Sequence, residues 1–229
     1  WNLLNQRGER LPTHYDFTPV IQQWAEIKED WQDRLNVRVG IELGNSTVDT
    51  AAVQASLQLP ELDFVIGSLH SVSLKLGGVG IFTQAKACTD AHLAHTVLDD
   101  YVQQMAELVQ AGTFDVLGHI IYPLRYFPAE FQLSLDPWQE QLDEILRQVI
   151  QQGKGIEFNT SQGSTIRQWT SLLTRYRELG GEILTLGSDA HKAQYIGAGF
   201  QEACSLLRSL GYRWVCTYRQ HTPQFHALD

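Results

Sequence analysis

Apolar and polar positions follow one another along this chain in two rhythms. Short, nearly continuous apolar runs occur at residues 37–43, 62–68, 114–119, 155–159 and 183–187. Each is rich in Val, Ile or Phe, the pattern of strands covered on both faces, as in a parallel sheet. Between them the apolar residues recur at helical spacing. Residues 19–35 follow Thr18, which reads as an N-cap, with Pro19 at the first helical position. Residues 91–111 carry Leu93, Val97, Leu98, Tyr101, Met105, Leu108 and Val109 on one face and stop at Gly112. Residues 137–152 present Leu142, Ile145, Leu146, Val149 and Ile150 and stop at Gly153. Helices are also predicted over 171–179 and 201–210, each ended by glycine, and the tail 212–228 opens on a strand-like 212–218. The i,i+7 pair Trp24 and Trp31 reads as core packing.

Strand and helix alternate without a composition break, a repeat or a Pro/Ser-rich linker, which predicts one α/β domain over residues 1–229. In such folds the chemistry gathers where the C-terminal ends of the strands meet the following loops. Those ends carry a consistent set of polar residues. Glu42 lies inside the first apolar run, where a carboxylate is costly unless it is paired or bound to metal. His70 closes the second run, His119 the third, and the turn Asn159-Thr160-Ser161 the fourth. The fifth ends in Gly187-Ser188-Asp189-Ala190-His191, whose Asp-x-His spacing puts a carboxylate and an imidazole on one side of the backbone. Any one of these residues alone could be an isolated loop side chain; their recurrence at one structural position points to a site. Imidazole and carboxylate together suit zinc, iron or manganese. Glycines 40, 67, 118 and 187 near these ends would leave room for an ion and its water. Arg125 and Arg167, following the third and fourth strands, have guanidinium forks that match phosphate oxygens.

Composition narrows the classes. A chain of 229 residues with 43% hydrophobic and 19% charged residues can bury one sizeable core. No apolar run is long enough to cross a bilayer, and no signal peptide is visible, so no membrane partner is expected. The formal net charge of −9 argues against a nucleic-acid partner while leaving room for a local basic pocket. Cys88, Cys204 and Cys216 are odd in number and far apart, so a reducing cytoplasm is expected and none receives a role. His92 and His95 read as surface residues of their helix, and His221 and His226 as solvated tail residues.

Five motifs carry a family resemblance: Gly-Ile-Glu at 40–42, Gly-Ser-Leu-His at 67–70, Leu-Gly-His at 117–119, Glu-Phe-Asn-Thr-Ser at 157–161 and Gly-Ser-Asp-Ala-His at 187–191. In this order, across nearly the whole chain, they resemble the PHP (polymerase and histidinol phosphatase) family, its histidinol-phosphate phosphatase branch in particular. Tyr218-Arg219-Gln220-His221-Thr222-Pro223 resembles the closing segment of that branch. The resemblance implies a distorted (β/α)7 TIM-like barrel with two or three divalent transition metals (Zn, Mn or Fe) at its mouth. By the same resemblance Glu42 would bridge two metals, His70 and His119 would complete the second site, Asp189 would ligate the first and His191 the third. Arg125 and Arg167 would grip the substrate phosphate. A metal-bridging hydroxide would attack phosphorus, with Glu42, Asp189 and His191 as the catalytic set. The partner implied is a small-molecule phosphate ester, L-histidinol phosphate, and the pathway histidine biosynthesis.

The family opens on a strand ending in His-x-His followed by a Ser-Asp-His turn, and no His-x-His occurs here. The chain starts at Trp1, so the resemblance implies an N-terminal truncation that removes the first one or two strands and impairs metal binding and hydrolysis. His14 matches no motif and is left unassigned. Two other readings stand beside this one. A PHP phosphoesterase acting on nucleotides would need a basic groove, of which the charge gives no sign. A non-catalytic PHP-like scaffold would have no need of all five ligand-type residues.

Overall fold

The computed structural model describes residues 1–12 and 15–228; His14 lies outside the described residues. Its elements run α1 (Thr18–Trp31), β1 (Gly40–Gly44), α2 (Thr50–Ser56), β2 (Phe64–Ser68), α3 (Ile81–Ala87), α4 (Ala91–Ala111), β3 (Val116–Leu117), α5 (Gln139–Gln151), β4 (Gly155–Asn159), α6 (Thr170–Glu178), β5 (Leu184–Gly187), α7 (Phe200–Ser209), β6 (Trp214–Arg219) and β7 (Thr222–Ala227). The first five strands form one parallel sheet in the order β1-β2-β3-β4-β5, and β6-β7 is an antiparallel hairpin. Strictly sequential parallel order with intervening helices is the wiring of a (β/α) barrel, not of a doubly wound sheet, whose order reverses at a switch point. Among the described residues the sheet is not closed into a ring by strand pairing. The segment at residues 1–4 lies along the β1 edge, where Gly44 N–H donates to Trp1 O and Leu3 N–H to Gly44 O.

The core lies between the sheet and its helices. Tyr101, Met105 and Leu108 of α4, Leu146 of α5 and Trp169 before α6 are fully buried against Leu117, Ile156, Phe158 and Leu184. All five residues of β4 are buried, as a central strand covered on both faces requires. α4 begins where the Asp90 side chain accepts Leu93 N–H and ends at Gly112 in the left-handed region, φ 65°.

Several expectations change. Thr18 is the first residue of α1, not its cap; its N–H donates to Asp16 Oδ1. α1 buries none of its residues, and Trp31 is 44% exposed. The Trp24/Trp31 pair is therefore not core packing: Trp24 is half-buried and donates its indole N–H to Val37 O. The third strand is short because the chain leaves the sheet at His119, φ 21°, whose N–H donates to Glu157. α2, α3 and β7 are additional elements. The tail histidines are exposed yet engaged. His221 Nδ1 lies 2.9 Å from Asp115 Oδ2, and His226 Nε2 lies 2.7 Å from the Thr217 hydroxyl. His92 is exposed as expected, and His95 is half-buried with its ring against Trp138. The three cysteines are free. Among the described residues no helix is long and apolar enough to cross a membrane.

Candidate metal centre

Three strand ends bring Glu42, His70 and His119 together. Glu42 points from the middle of β1, His70 follows β2 by two residues, and His119 follows β3 by two. Their ligand atoms all lie within 4.8 Å of one another. Glu42 Oε1 is 3.0 Å from His70 Nε2 and 3.6 Å from His119 Nε2, and the two Nε2 atoms are 3.0 Å apart.

The outer ring nitrogens decide what the inner ones can do. His70 Nδ1 lies 2.7 Å from Asn2 Oδ1, an oxygen that can only accept, so His70 carries its proton on Nδ1. His119 Nδ1 lies 3.2 Å from Glu157 Oε2, again only an acceptor. Both Nε2 lone pairs are thereby turned inward in the neutral rings. Glu42 Oε1 is buried and has no hydrogen bond of acceptable angle despite its proximity to His70. Three lone-pair donors thus converge with nothing between them to accept, which is the donor set of a divalent transition-metal site. The residues present fit such an ion. Burial raises the Glu42 pKa, but where the rings instead carry protons toward it the short His70 contact and the two imidazolium charges outweigh burial and lower it to about 2. Burial lowers the His119 pKa, but the Glu157 contact and the charges of Glu157 and Glu42 raise it on balance.

The triad opens into a cavity of about 580 Å³ that also exposes Tyr122, Asn159, Asp189 and His191. Asp189 and His191 therefore share the triad's cavity but stand outside the three-residue cluster. Asp189 adopts φ 56° after β5, its side chain 39% exposed; His191 is 82% exposed, with Nδ1 3.0 Å from Asp189 O. Arg125 lies in the wall behind the cavity, its side chain 8% exposed. It donates Nη2–H to Asn159 Oδ1 at 3.0 Å, and its Nη1 is 3.7 Å from Asp189 Oδ2. Its Nε–H is buried without a partner. Arg167 is not brought to the site; it is exposed in the turn before α6, away from the cavity lining.

Sequence reasoning gave no role to four contributors, although it placed Asn159 in the polar turn that closes the fourth strand. Glu157 and Asn159, two apart on β4, face the same way, Glu157 onto His119 and Asn159 onto Arg125. Their signal was available: a carboxylate and an amide within an otherwise apolar run. Asn2 holds His70 across 68 positions of sequence, and nothing local announces it. The Tyr122 ring sits 5.2 Å from that of His70 and 5.1 Å from that of His119. The glycines near the strand ends also do something other than leave room for an ion. A Cβ on Gly187 would lie 2.0 Å from Glu157 Oε1, so the space belongs to that carboxylate. At Gly40, Gly67 and Gly118 the space is filled by Phe64, Phe114 and Ile66.

A PHP domain model matches residues 11–161, about two thirds of the chain. The histidinol-phosphatase of Lactococcus lactis subsp. lactis is 23% identical over 202 residues, covering 86% of this chain and 73% of its own length. A probable histidinol-phosphatase of Deinococcus radiodurans is 27% identical over 220 residues, covering 94% of this chain and 78% of its own length. For a probable histidinol-phosphatase of Thermotoga maritima the identity is 29% over 120 residues, about half of each chain. The crystal structure of histidinol phosphate phosphatase from Lactococcus lactis, complexed with zinc, L-histidinol and phosphate, matches with a TM-score of 0.77 at 22% identity. It covers 92% of this chain and 80% of that one. At that identity the likeness establishes the shared fold, and with it the TIM-like barrel class of this α/β sheet.

Proposed function

Starting from the fact that the chain belongs to the PHP family, we propose that it is a metal-dependent phosphomonoesterase whose substrate is L-histidinol phosphate. The observation that carries this reading is the convergence of Glu42 Oε1, His70 Nε2 and His119 Nε2, each with its lone pair turned inward. Relatives named histidinol-phosphatase support the substrate. Glu42, His70 and His119 would hold one divalent ion of the zinc, manganese or iron class. Asp189 and His191, on another side of the same cavity, would serve one or two further ions. Ions of this class polarise a phosphoryl oxygen and acidify water.

The chain's own groups supply the rest. Glu157 keeps a proton on His119 Nδ1, and Asn2 does the same for His70, so each Nε2 stays available as a ligand. Arg125 has a buried, unpartnered Nε–H, a donor suited to a phosphate oxygen. Tyr122, lying against both imidazoles, excludes water from that side, where polar interactions then strengthen. Arg167 was expected as the second phosphate contact, and from its exposed position it would have to swing inward.

Two measurements on the same protein test this. Zinc titration should give a tight site that Glu42→Ala weakens by more than the roughly 10–100-fold typical of outer partners. In a panel of phosphomonoesters, L-histidinol phosphate should be cleaved in preference to nucleoside monophosphates. Absence of zinc binding, or indifference of that binding to Glu42→Ala, overturns the reading; preference for a nucleotide overturns the substrate.

A further inference from the structure

One row of polar contacts, three side chains linked by hydrogen bonds and a final ion pair, runs from His119 of the triad to the Asp189 rim. It begins at His119, whose backbone N–H and Nδ1 both meet Glu157 Oε2, at 3.0 and 3.2 Å. Glu157 Oε1 accepts from Asn159 Nδ2 at 3.3 Å. Asn159 Oδ1 accepts from Arg125 Nη2 at 3.0 Å, and Arg125 Nη1 approaches Asp189 Oδ2 at 3.7 Å. Glu157, Asn159 and the Arg125 side chain are each less than a tenth exposed. The topology explains why the joint falls on Asn159. β4 lies between β3, which delivers His119, and β5, which delivers Asp189. Residues 157 and 159 share a face of β4, so one strand can reach both neighbours.

The chemistry at the joint is specific to an amide. One end must donate, because Glu157 offers only acceptors, and the other must accept, because Arg125 offers only donors. Asn has one of each at a fixed separation. Its Oδ1 also takes Ser161 N–H at 2.8 Å, which anchors the amide's orientation to the turn after β4. Its own backbone oxygen is held by Thr165 Oγ1 and Trp169 Nε1, at 3.1 and 2.9 Å. The amide is thus fixed from both sides and touches no residue of the converging triad.

We propose that Asn159 is the positioning residue that couples the two halves of the centre, holding Glu157 on His119 while aiming the Arg125 guanidinium. Its consequence for ligands rests on the functional reading given above; the contacts themselves do not. Asn159 is committed to Glu157 through Nδ2 and to Arg125 and Ser161 through Oδ1, so the effects proposed for it pass through Glu157 and Arg125.

The test compares zinc affinity, by competitive titration, with inorganic phosphate affinity of the zinc-loaded protein, by calorimetry. Asn159→Ala should weaken zinc by about tenfold and phosphate by about tenfold, although it removes no ligand. Asn159→Asp keeps the oxygen that Arg125 and Ser161 use but sets a carboxylate against Glu157 in place of the donor, so zinc affinity should fall by more than phosphate affinity. Double-mutant cycles complete the comparison. The zinc effect of Asn159→Ala should vanish in a Glu157→Ala background, and its phosphate effect in an Arg125→Ala background. A merely structural role predicts equal losses in both substitutions at 159 and additive cycles. That result in a zinc-binding wild type, or an Asn159→Ala protein that melts normally and binds both ligands normally, overturns the proposal while leaving the functional reading intact. A wild type that binds no zinc overturns the functional reading, and the coupling role with it. Should Asn159→Ala fail to fold, the Asn159→Asp comparison decides alone, since equal loss of both ligands there refutes the split.

Discussion

Gly187→Ala adds a single methyl group at the one place where β5 makes room for Glu157. The added Cβ would sit 2.0 Å from Glu157 Oε1 and 2.9 Å from its Cδ. Ordinary contact begins near 3.4 Å, so the carboxylate oxygen must move by about 1.4 Å. Gly187 is not among the residues with positive φ, so no backbone strain is added and the cost is the clash alone. Glu157 cannot move that far and keep Asn159 Nδ2 at 3.3 Å and the two His119 contacts at 3.0 and 3.2 Å. Loss of one hydrogen bond to a charged group costs about 1.5–3 kcal/mol. Replacing glycine in a strand returns about 0.5–1 kcal/mol of backbone entropy. The net destabilisation is then about 1–2 kcal/mol, or roughly 2–8 °C in Tm for a domain of this size. The same displacement frees the His119 ring, so zinc affinity should fall by about 10–100-fold. Thermal unfolding and zinc titration of one preparation read both effects. Glu157→Ala removes the atom that is struck, so the double variant should be no less stable than Glu157→Ala alone. A Gly187→Ala protein with raised Tm and unchanged zinc affinity would refute the assignment of this space to Glu157.

Two further outcomes follow from other parts of the structure. Arg125→Ala should raise KM for the phosphate ester by roughly ten- to a hundredfold, the loss of a charge-assisted contact, whereas the exposed Arg167→Ala should change it by no more than about twofold. A larger rise for Arg167→Ala would show that Arg167 swings inward on binding. Between α5 and α6, the two-pronged contact of Arg175 with Asp143, at 2.8 and 2.6 Å, holds that carboxyl down to about 2, below its usual 3.8. A lowered carboxyl pKa contributes stability above the unfolded value and loses it as pH falls, so the contribution should fade between about pH 4 and pH 2. Asp143→Asn should flatten the acid limb of a pH–stability profile in that window and shift the neutral limb uniformly; an unchanged acid limb would refute the role of this pair.

The strand ends were legible because a parallel sheet imposes one rule on every strand: apolar through the layer, polar where it emerges. His70 and His119 obey it and converge on Glu42, which stands inside β1, and Asp189 and His191 obey it and reach the same cavity. Helical periodicity on α4 likewise found its boundaries, because Asp90 and Gly112 supply the start and stop that the pattern needs. α1 shows where that logic ends. Its pattern says which face is apolar, but burial depends on what lies opposite, and none of its residues is buried. Asn2 was illegible for a related reason, since its partner is 68 positions away and an asparagine near a chain end carries no signal by itself. Glu157 is a different case. The cost of an unpaired carboxylate inside an apolar strand drew attention to Glu42, and the same cost applies more strongly in β4, where every residue is buried. A buried Glu157 must be matched by a donor from a flanking strand end. Its register partner on β5 is Thr185, whose hydroxyl makes no hydrogen bond to it, while β3 ends in His119, whose backbone N–H and Nδ1 both meet the carboxylate. His119 meets that requirement, and the same carboxylate explains why Gly187 stands beside them: the group that orients the imidazole needs the volume that a side chain at position 187 of β5 would take.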